Sequence, residues 1–460
     1  MYRMTSPIHH PASFRDPSGF VFEENGMVYR KVGPGYADSY KKLMGSGLYD
    51  LLTQKRWMVS HAEIKGPAGS ATESDIILLP EQIPFISYPY EWSFDMLKDA
   101  ALLTLEINKQ AMLHGMILKD ATAFNVQFLE GKPIFIDTLS FTVYDEAKPW
   151  IAYRQFCEHF LFPLFLDHYL HINAQNLLAV YPGGIPLSMA ASLLSGKGRF
   201  NLGIWLHLRL QNKVSAKTRT SPANSRFSKN KLLRILGHLD IIIRKLTGGR
   251  QHSSAWNAYY DDGIISADYI REKELLLRSF LENIPFTSAL DIGTNNGRFA
   301  ELLAEKAVSV IAIDADPQCV NQLYRSVAGK HITNLLPLCV DITHPPPGIG
   351  FNNRERTPFL DRISPDLVAA LALIHHLVLT QNIPLPDLAA FFARCSKGFL
   401  IIEFVPLTDQ RAKDMVVSKE VYHTPYNEAA FEHYFGEAFQ VERKNIIPGS
   451  GRTLYLLRRR

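Results

Sequence analysis

Thiol chemistry has little to work with in this chain. Its 460 residues include four cysteines, Cys157, Cys319, Cys339 and Cys395. None belongs to a C-x-x-C pair, and no His/Cys cluster has zinc-ligand spacing. A disulfide framework and a zinc finger are therefore excluded, and a reduced, cytoplasmic setting is expected. Long apolar runs are missing as well. The most apolar segment, FLFPLFLDHYL from Phe160, is broken by Pro163 and Asp167, so no integral membrane segment is expected. The N-terminus, MYRMTSPIHHPASFRDPSG, lacks the apolar stretch of a secretory signal. Charge of one sign is also lacking. Net charge is +4, which is too small to argue for a nucleic-acid partner.

What is present is an ordinary soluble composition. Hydrophobic residues make up 47% and charged residues 20%, enough apolar surface for about two to four domains in a chain of this length. The first 200 residues are rich in aromatics and proline. GFVFEENGMVYRKV reads as strand, Asn25-Gly26 turn, strand. SYKKLMGSGLYDLLTQKRWMVSHAEI has helical spacing interrupted at Gly45 and Gly47. IILLPEQIPFISYPYEW reads as strand, turn, strand, and MLKDAALLTLEINKQAMLHGM as a helix. Residues 211–250 hold ten Lys or Arg against one acid, Asp240. VSAKTRTSPANSRFSKN reads as a linker, and LLRILGHLDIIIRKL as an amphipathic basic helix ending at Gly248-Gly249. That helix is either a solvated connector or a surface for an anionic partner.

After Ala255 strands and helices alternate. The strands are SALDIG, VSVIAID, LLPLCVD, LVAALAL and GFLIIEF; FQVERKNI and RTLYLLRR then form a hairpin. The expected fold is α/β, a Rossmann-like parallel sheet that ends in an antiparallel hairpin. Within SALDIGTNNGRFAELLA, Gly293 permits a sharp turn, Gly297 sits where strand and helix crowd, and the helix start presents unpaired N–H groups. Asp291 is placed to meet an ammonium group. Asp314, 23 residues later, ends the second strand, where a carboxylate can accept ribose hydroxyls; Asp316 lies two residues further. Asp341 ends the third strand, where it can accept from an adenine amino group while the Ile342 amide reaches a ring nitrogen. The dinucleotide fingerprint G-x-G-x-x-G is absent, since the loop reads D-I-G-T-N-N-G.

Three acids on successive strand ends, with the terminal hairpin, resemble the class I S-adenosylmethionine (SAM)-dependent methyltransferases. The resemblance implies SAM as cofactor, with Asp291, Gly293, Asn295 and Gly297 at its methionine end, Asp314 on its ribose, and Asp341 and Ile342 on its adenine. Asn295 stands where the family often has Gly, which a left-handed conformation would accommodate. The resemblance also puts His375, His376 and Glu403 at the acceptor crevice as candidate catalytic groups, His376 preferred to His375, each with a structural alternative as cap or loop anchor. Tyr422, His423 and Tyr426 are candidate wall residues. No metal is implied. AWNAYY, DIGTNNG, LALIHHL, NIPL, IIEFVP, YPYEW and LKDATAFNVQF together resemble the rhizobial nodulation proteins of the NoeA type and their bacterial relatives. That resemblance does not fix the methyl acceptor: its association with nodulation leads to the expectation of a small molecule or glycan, and a protein acceptor stays open.

One motif does not belong to this chemistry. ILKDATAFNVQFLEGKPIFIDTLSF carries Asp120, Asn125 and Asp137 with the residue types and spacing of a kinase catalytic loop and metal-binding Asp. The surroundings resemble a reduced kinase-like domain. A Gly-rich phosphate loop is missing, H-R-D is replaced by L-K-D, and Lys31 is a strand Lys without an evident Glu partner. The residues leave open a kinase-like fold without phosphotransfer, an active kinase, or an unrelated domain in which these side chains cap loops. The expected organisation is an N-terminal α+β accessory domain over 1–200, a basic linker and connector helix over 201–255, and a methyltransferase domain over 256–460. Two alternatives remain: a kinase-like phosphotransferase with a SAM-sensing domain, and a SAM-binding scaffold without activity.

Overall fold

Asn25 and Gly26 adopt positive φ of 52° and 76°, the left-handed pair that a two-residue hairpin turn requires. They join β2 (Gly19–Glu24) to β3 (Met27–Val32). In the computed structural model, which describes residues 8–64, 76–146, 148–194, 207, 228–248, 267–416 and 425–460, this hairpin is the centre of an antiparallel sheet. Its order is β1 (Ile8–His9), β2, β3, β5 (Ile76–Pro80), β4 (His61–Ile64). The chain divides into two units, Met1–Gln251 with Pro347–Thr357, and His252–Pro346 with Pro358–Arg460.

In the first unit the sheet packs on helices Ala37–Gly45 and Leu48–Gln54, separated at Gly47 with φ 79°. Below them runs helix Phe94–Leu113, whose Leu97, Ala101, Leu105, Ile107, Ala111 and Met112 are buried. Each large apolar side chain so buried contributes about 1.5–3 kcal/mol. After it come β6 (Met116–Leu118), β7 (Val126–Leu129), β8 (Lys132–Phe135) and β9 (Phe141–Val143), paired β6 with β9 and β7 with β8. The second strand expected in IPFISYPYEW does not form. Ser87 N and Oγ donate instead to Gln127 Oε1, and a single turn, Pro89–Glu91, is closed by Tyr88 N donating to Glu91 Oε2. Side-chain acceptors thus replace a strand ladder. The apolar segment at Phe160 lies in consecutive helical turns, Cys157–Leu161 and Phe162–Leu170, whose residues through Asp167 are buried. No helix among the described residues is long and apolar enough to cross a membrane. The basic helix spans Lys229–Lys245 and buries Leu232, Leu236, Leu239 and Ile243. Lys98 Nζ donates to Arg244 O and Leu246 O at its C-terminal end, where such a cation also suits the helix dipole. The Ser/Lys/Arg-rich stretch before Ser228, AWNAYY, Tyr422 and His423 lie outside the described residues.

The second unit holds seven strands: β10 (Ser288–Ile292), β11 (Ser309–Asp314), β12 (Leu335–Cys339), β13 (Leu367–Ala370), β14 (Phe399–Phe404), β15 (Phe439–Ile446) and β16 (Thr453–Arg459). Their order is β12-β11-β10-β13-β14-β16-β15. The first five run parallel, and β16 is antiparallel to both β14 and β15. This is the Rossmann-like sheet with a terminal hairpin that the sequence pattern predicts. The central strand β13 is buried at every position, as a strand covered on both faces must be. The strand order reverses between β10 and β13, so the crevice for a ligand opens at their C-terminal ends.

The opposite, N-terminal ends are locked by Asp366. Its Oδ2 accepts from Thr287 N at 2.9 Å, Thr287 Oγ1 at 2.7 Å, Ser288 N at 3.0 Å and Ser288 Oγ at 3.1 Å. These donors hold the carboxyl at about 2. Replacement by Ala should lower stability by about 1 kcal/mol, discounted for solvent screening. Because the folded pKa is depressed, the deficit is full above the unfolded value of about 4 and disappears as pH falls towards 2. Chemical denaturation at pH 7 and at pH 3 checks the sign.

Candidate functional site

The loop after β10 is shaped by three left-handed residues, Gly293 (φ 75°), Asn295 (φ 51°) and Gly297 (φ 83°). A Cβ on Gly293 would stand 3.3 Å from Leu373 Cδ1, and one on Gly297 only 2.1 Å from Leu323 Cδ1. A side chain at Gly297 would have to displace Leu323 and hold a left-handed backbone. Asn295 tolerates its positive φ because Asn reaches this region more easily than most residues, as the sequence reading requires. Gly293 N and Thr294 N donate to Ile313 O at 2.9 and 3.0 Å. Asn295 N donates to Asp314 Oδ2 at 2.8 Å, and Asp316 N to Asp314 Oδ1 at 2.9 Å. The loop is thus fastened to the end of β11. Asp316 caps helix Pro317–Lys330 by accepting from Gln318 N.

The three acids differ in environment. Asp291 is buried, and its Oδ2 has no hydrogen-bond partner among the described residues. Burial raises its carboxyl to about 6. Burial likewise raises Asp314 to about 6 against the two amide hydrogen bonds. Asp341 is exposed and lies two residues beyond the end of β12, which closes at Cys339 instead of at the Asp. Its Oδ1 accepts from Thr343 N and Thr343 Oγ1 at 2.8 and 2.7 Å. Val340 N donates to Asp314 O at 2.9 Å, which brings the Asp341–Ile342 turn to the same end of the sheet.

On the other side of the crevice, His375 and His376 follow β13, with ring centroids 4.0 Å apart. His375 is fully buried with neither ring nitrogen partnered among the described residues. Burial, then the charges of Arg411 and Arg452, lowers His376 to about 4. Both imidazoles are neutral at pH 7. Glu403 ends in the interior, fully buried. Lys273 Nζ is 2.5 Å from its Oε2, Tyr269 Oη donates to Oε1, and Arg452 Nη1 lies 3.3 Å from Oε1. Arg452 Nε is also paired with Asp409 at 2.8 Å. Burial opposes the Glu403 carboxylate, but Lys273 and Arg452 hold its pKa below the usual value. Tyr426 is buried and donates to Val405 O at 2.7 Å, packed into the fold and not lining an open wall.

Sequence reasoning did not find Lys273, Tyr269 or Arg452. A signal existed for the first. Residues 269, 270, 273, 277, 280 and 281 form the buried face of helix Ala267–Glu282, and a Lys in such an apolar stripe needs an anion.

In the first unit, Asp120, Asn125 and Asp137 do come together. Asn125 Nδ2 donates to Ser140 Oγ at 3.0 Å, and Ser140 Oγ donates to Asp137 Oδ2. Asp137 also accepts from Leu139 N and forms an ion pair with Arg30. The β3 cation that reaches this carboxylate is Arg30, which points to the opposite face of the strand from Lys31. Asp120 accepts from Thr122 N at 3.2 Å; burial, then the charge of Asp137, raises its pKa. The segment 347–357 borders the same loop. The Arg356 guanidinium lies 4.3 Å from the Phe124 ring centroid, and Thr357 N donates to Tyr88 Oη at 3.0 Å. Among the described residues no group of three or more His, Cys, Asp or Glu could hold a metal.

The raised Asp291 carboxyl has a direct consequence. Burial outweighs the Thr294 side chain and the charge of Lys273, so the ionised carboxylate destabilises the free protein above about pH 6; protonated, it does not. Asp291→Asn should therefore raise the thermal stability of the ligand-free chain at pH 7.5 by about 1–3 kcal/mol equivalents, a gain that shrinks as pH falls below about 6. Melting curves at pH 7.5 and 5.5 measure it.

No protein-family model matches the chain. Among solved structures, it is similar to the N-methyltransferase NodS from Bradyrhizobium japonicum WM9 in complex with S-adenosyl-L-homocysteine, with 16% identity, 45% of this chain and 99% of that chain covered, and a TM-score of 0.33. It is also similar to the bifunctional kinase-methyltransferase WbdD, with 17% identity, 48% and 45% covered, and a TM-score of 0.30. At these scores the fold assignment rests on the strand order itself. The nodulation protein NoeA of Rhizobium meliloti (strain 1021) is 32% identical over 459 residues, 97% of this chain and 95% of that protein. With this identity over nearly its whole length, the chain belongs to the NoeA family of nodulation proteins.

Proposed function

We propose that the second unit is a class I SAM-dependent methyltransferase whose acceptor is a small molecule or glycan. The observation that carries the reading is the juxtaposition of a left-handed loop from Gly293 to Gly297 with two carboxylates on adjacent strand ends, the half-buried Asp314 and the buried Asp291, whose Oδ2 is orphaned among the described residues. Bound there, SAM would supply an electrophilic methyl group on a sulfonium. Asp291 would receive its ammonium, Asp314 its ribose hydroxyls, and Asp341 with the Ile342 amide its adenine. Gly293 gives the sharp left-handed turn, and Gly297 the close packing of the loop against Leu323.

The chain's remaining task is alignment of the acceptor, which is worth more than proton transfer when the attacking atom is already nucleophilic. His376 is half-buried and neutral, held near 4 by burial, Arg411 and Arg452. Such an imidazole is a weak base suited to orienting an acceptor hydroxyl or amine through a hydrogen bond. His375 is sealed in the interior and is assigned to structure. Glu403 is committed to Lys273 and Arg452 and takes no proton from the acceptor.

Asp314→Ala should abolish SAM binding in calorimetry, and wild-type affinity in that variant would remove the ribose assignment. His376→Ala should leave SAM affinity unchanged while lowering turnover by about 10–100-fold. The acceptor test is transfer of labelled methyl from SAM into a lysate of the source organism. Label recovered in a glycan or metabolite fraction supports the reading; label confined to protein overturns the acceptor class.

For the first unit we propose a kinase-like fold without phosphotransfer. Arg30, Ser140 Oγ and the Leu139 amide occupy the carboxylate that would hold a metal. Asp137→Asn should destabilise this unit by about 2–4 kcal/mol by leaving Arg30 unpaired, with magnesium and ATP shifting neither the wild-type nor the variant melting curve.

A further inference from the structure

The crevice holds a cation that ought to compete for Asp291. Lys273 is almost completely buried, at 1% exposure. It lies on helix Ala267–Glu282 with its Nζ 4.5 Å from the ring centroid of Phe299, in the helix that starts at Gly297. It is close enough to Asp291 for each to perturb the other electrostatically. A buried Lys close to a buried carboxylate with one orphaned oxygen, Asp291 Oδ2, should pair with it. It does not. Its partner among the described residues is Glu403, at 2.5 Å.

The charges explain the choice. Lys273 and Arg452 are the cations of the cluster; Glu403 and Asp409 are their anions. Those four cancel. Asp291 adds a further negative charge, and Lys273, the cation that acts on it, is already paired with Glu403. Asp314, also nearby, has its carboxylate occupied by two amides. The other charged or titratable groups here are His375, whose pKa is lowered, and Arg411, whose charge acts on both histidines and whose amide donates to Asp409. A ligand that brings a positive charge to Asp291 completes the balance, provided Lys273 stays where it is.

We propose that Glu403 is a positioning residue for cofactor binding: by holding Lys273 in a buried ion pair, it keeps Asp291 open for the ammonium of the cofactor's amino-acid end. This rests on the SAM reading above. Tyr269 and Arg452 fix Glu403 from its other oxygen, so that Oε2 is left to Lys273. The helix carrying Lys273 precedes the nucleotide-binding strands, so the device lies outside the strand-end acids and the glycine loop.

The test compares two ligands, S-adenosylhomocysteine, which carries the ammonium, and 5′-methylthioadenosine, which lacks the whole amino-acid end. In Glu403→Gln, which is isosteric and keeps an acceptor for Tyr269, Lys273 loses its anion and turns to Asp291. S-adenosylhomocysteine affinity should fall by about tenfold or more, with 5′-methylthioadenosine within about twofold of wild type. Adding Lys273→Met removes the competitor and should restore S-adenosylhomocysteine affinity to within about threefold of wild type. Equal loss for both ligands, no loss in folded Glu403→Gln, or no recovery in the double variant would overturn the proposal. If Glu403→Gln does not fold, Glu403→Asp, which shortens the reach to Lys273, takes its place with the same expectations. Wild-type protein that binds neither ligand sinks the SAM reading instead, and so separates the two failures.

Discussion

One residue, through its carboxylate and its backbone carbonyl, ties the ends of three strands together. Asp314 accepts from the amide of Asn295 in the glycine loop and from the amide of Asp316 at the start of the next helix, while its carbonyl accepts from Val340 beyond β12. Amide hydrogen bonds to a charged acceptor are among the stronger ones a protein makes. Here they set the spacing between the loop after β10, the end of β11 and the turn after β12. The positions of Asp291 and Asp341 follow from that spacing. So does the left-handed path from Gly293 to Gly297, which is held by Asp314, by the Ile313 carbonyl and by the loop's own bond from Gly297 N to Thr294 O.

The sheet was legible because its signals are local. Five short apolar runs separated by helical periods specify parallel strands, and two polar-edged runs around Gly449 specify a hairpin. The placement of Asp291 and Asp314 at strand ends was legible because each closes an apolar run, the first of them just before a glycine turn. Other residues were not legible, for physical reasons. Glu403 looked like a crevice acid, yet its role depends on Lys273, 130 positions earlier, and Arg452, 49 later. No periodicity encodes a pairing at that distance. Asp341 looked like a strand terminus, but β12 stops two residues sooner and the Asp turns back on Thr343. The expected strand in IPFISYPYEW failed because Gln127 and Glu91 offer the backbone better partners than a ladder does.

In the first unit a motif keeps its spacing while one of its carboxylates takes other partners. Asp120, Asn125 and Asp137 sit together as the D-x-x-x-x-N pattern implies, but Arg30 turns Asp137 into half of an ion pair. The residue that decides this stands on β3, next to the Lys that sequence reading picked out. Strand alternation alone separates the two, and a reading without the register of β3 against β5 has no means to choose between Arg30 and Lys31.

The segment 347–357 has a consequence for how the protein is made. It leaves the second unit after β12 and belongs to the first, where Arg356 covers Phe124 and Glu355 pairs with Arg15. A ribosome delivers chain from the N-terminus, and domains generally fold in that order as they emerge. The N-terminal unit cannot finish in that way. Its last piece is synthesised about a hundred residues after the rest of it, when three strands of the following sheet already exist. Nascent chains stalled before residue 347 should therefore carry an N-terminal unit that is incomplete at the very loop that holds Asp120 and Asn125.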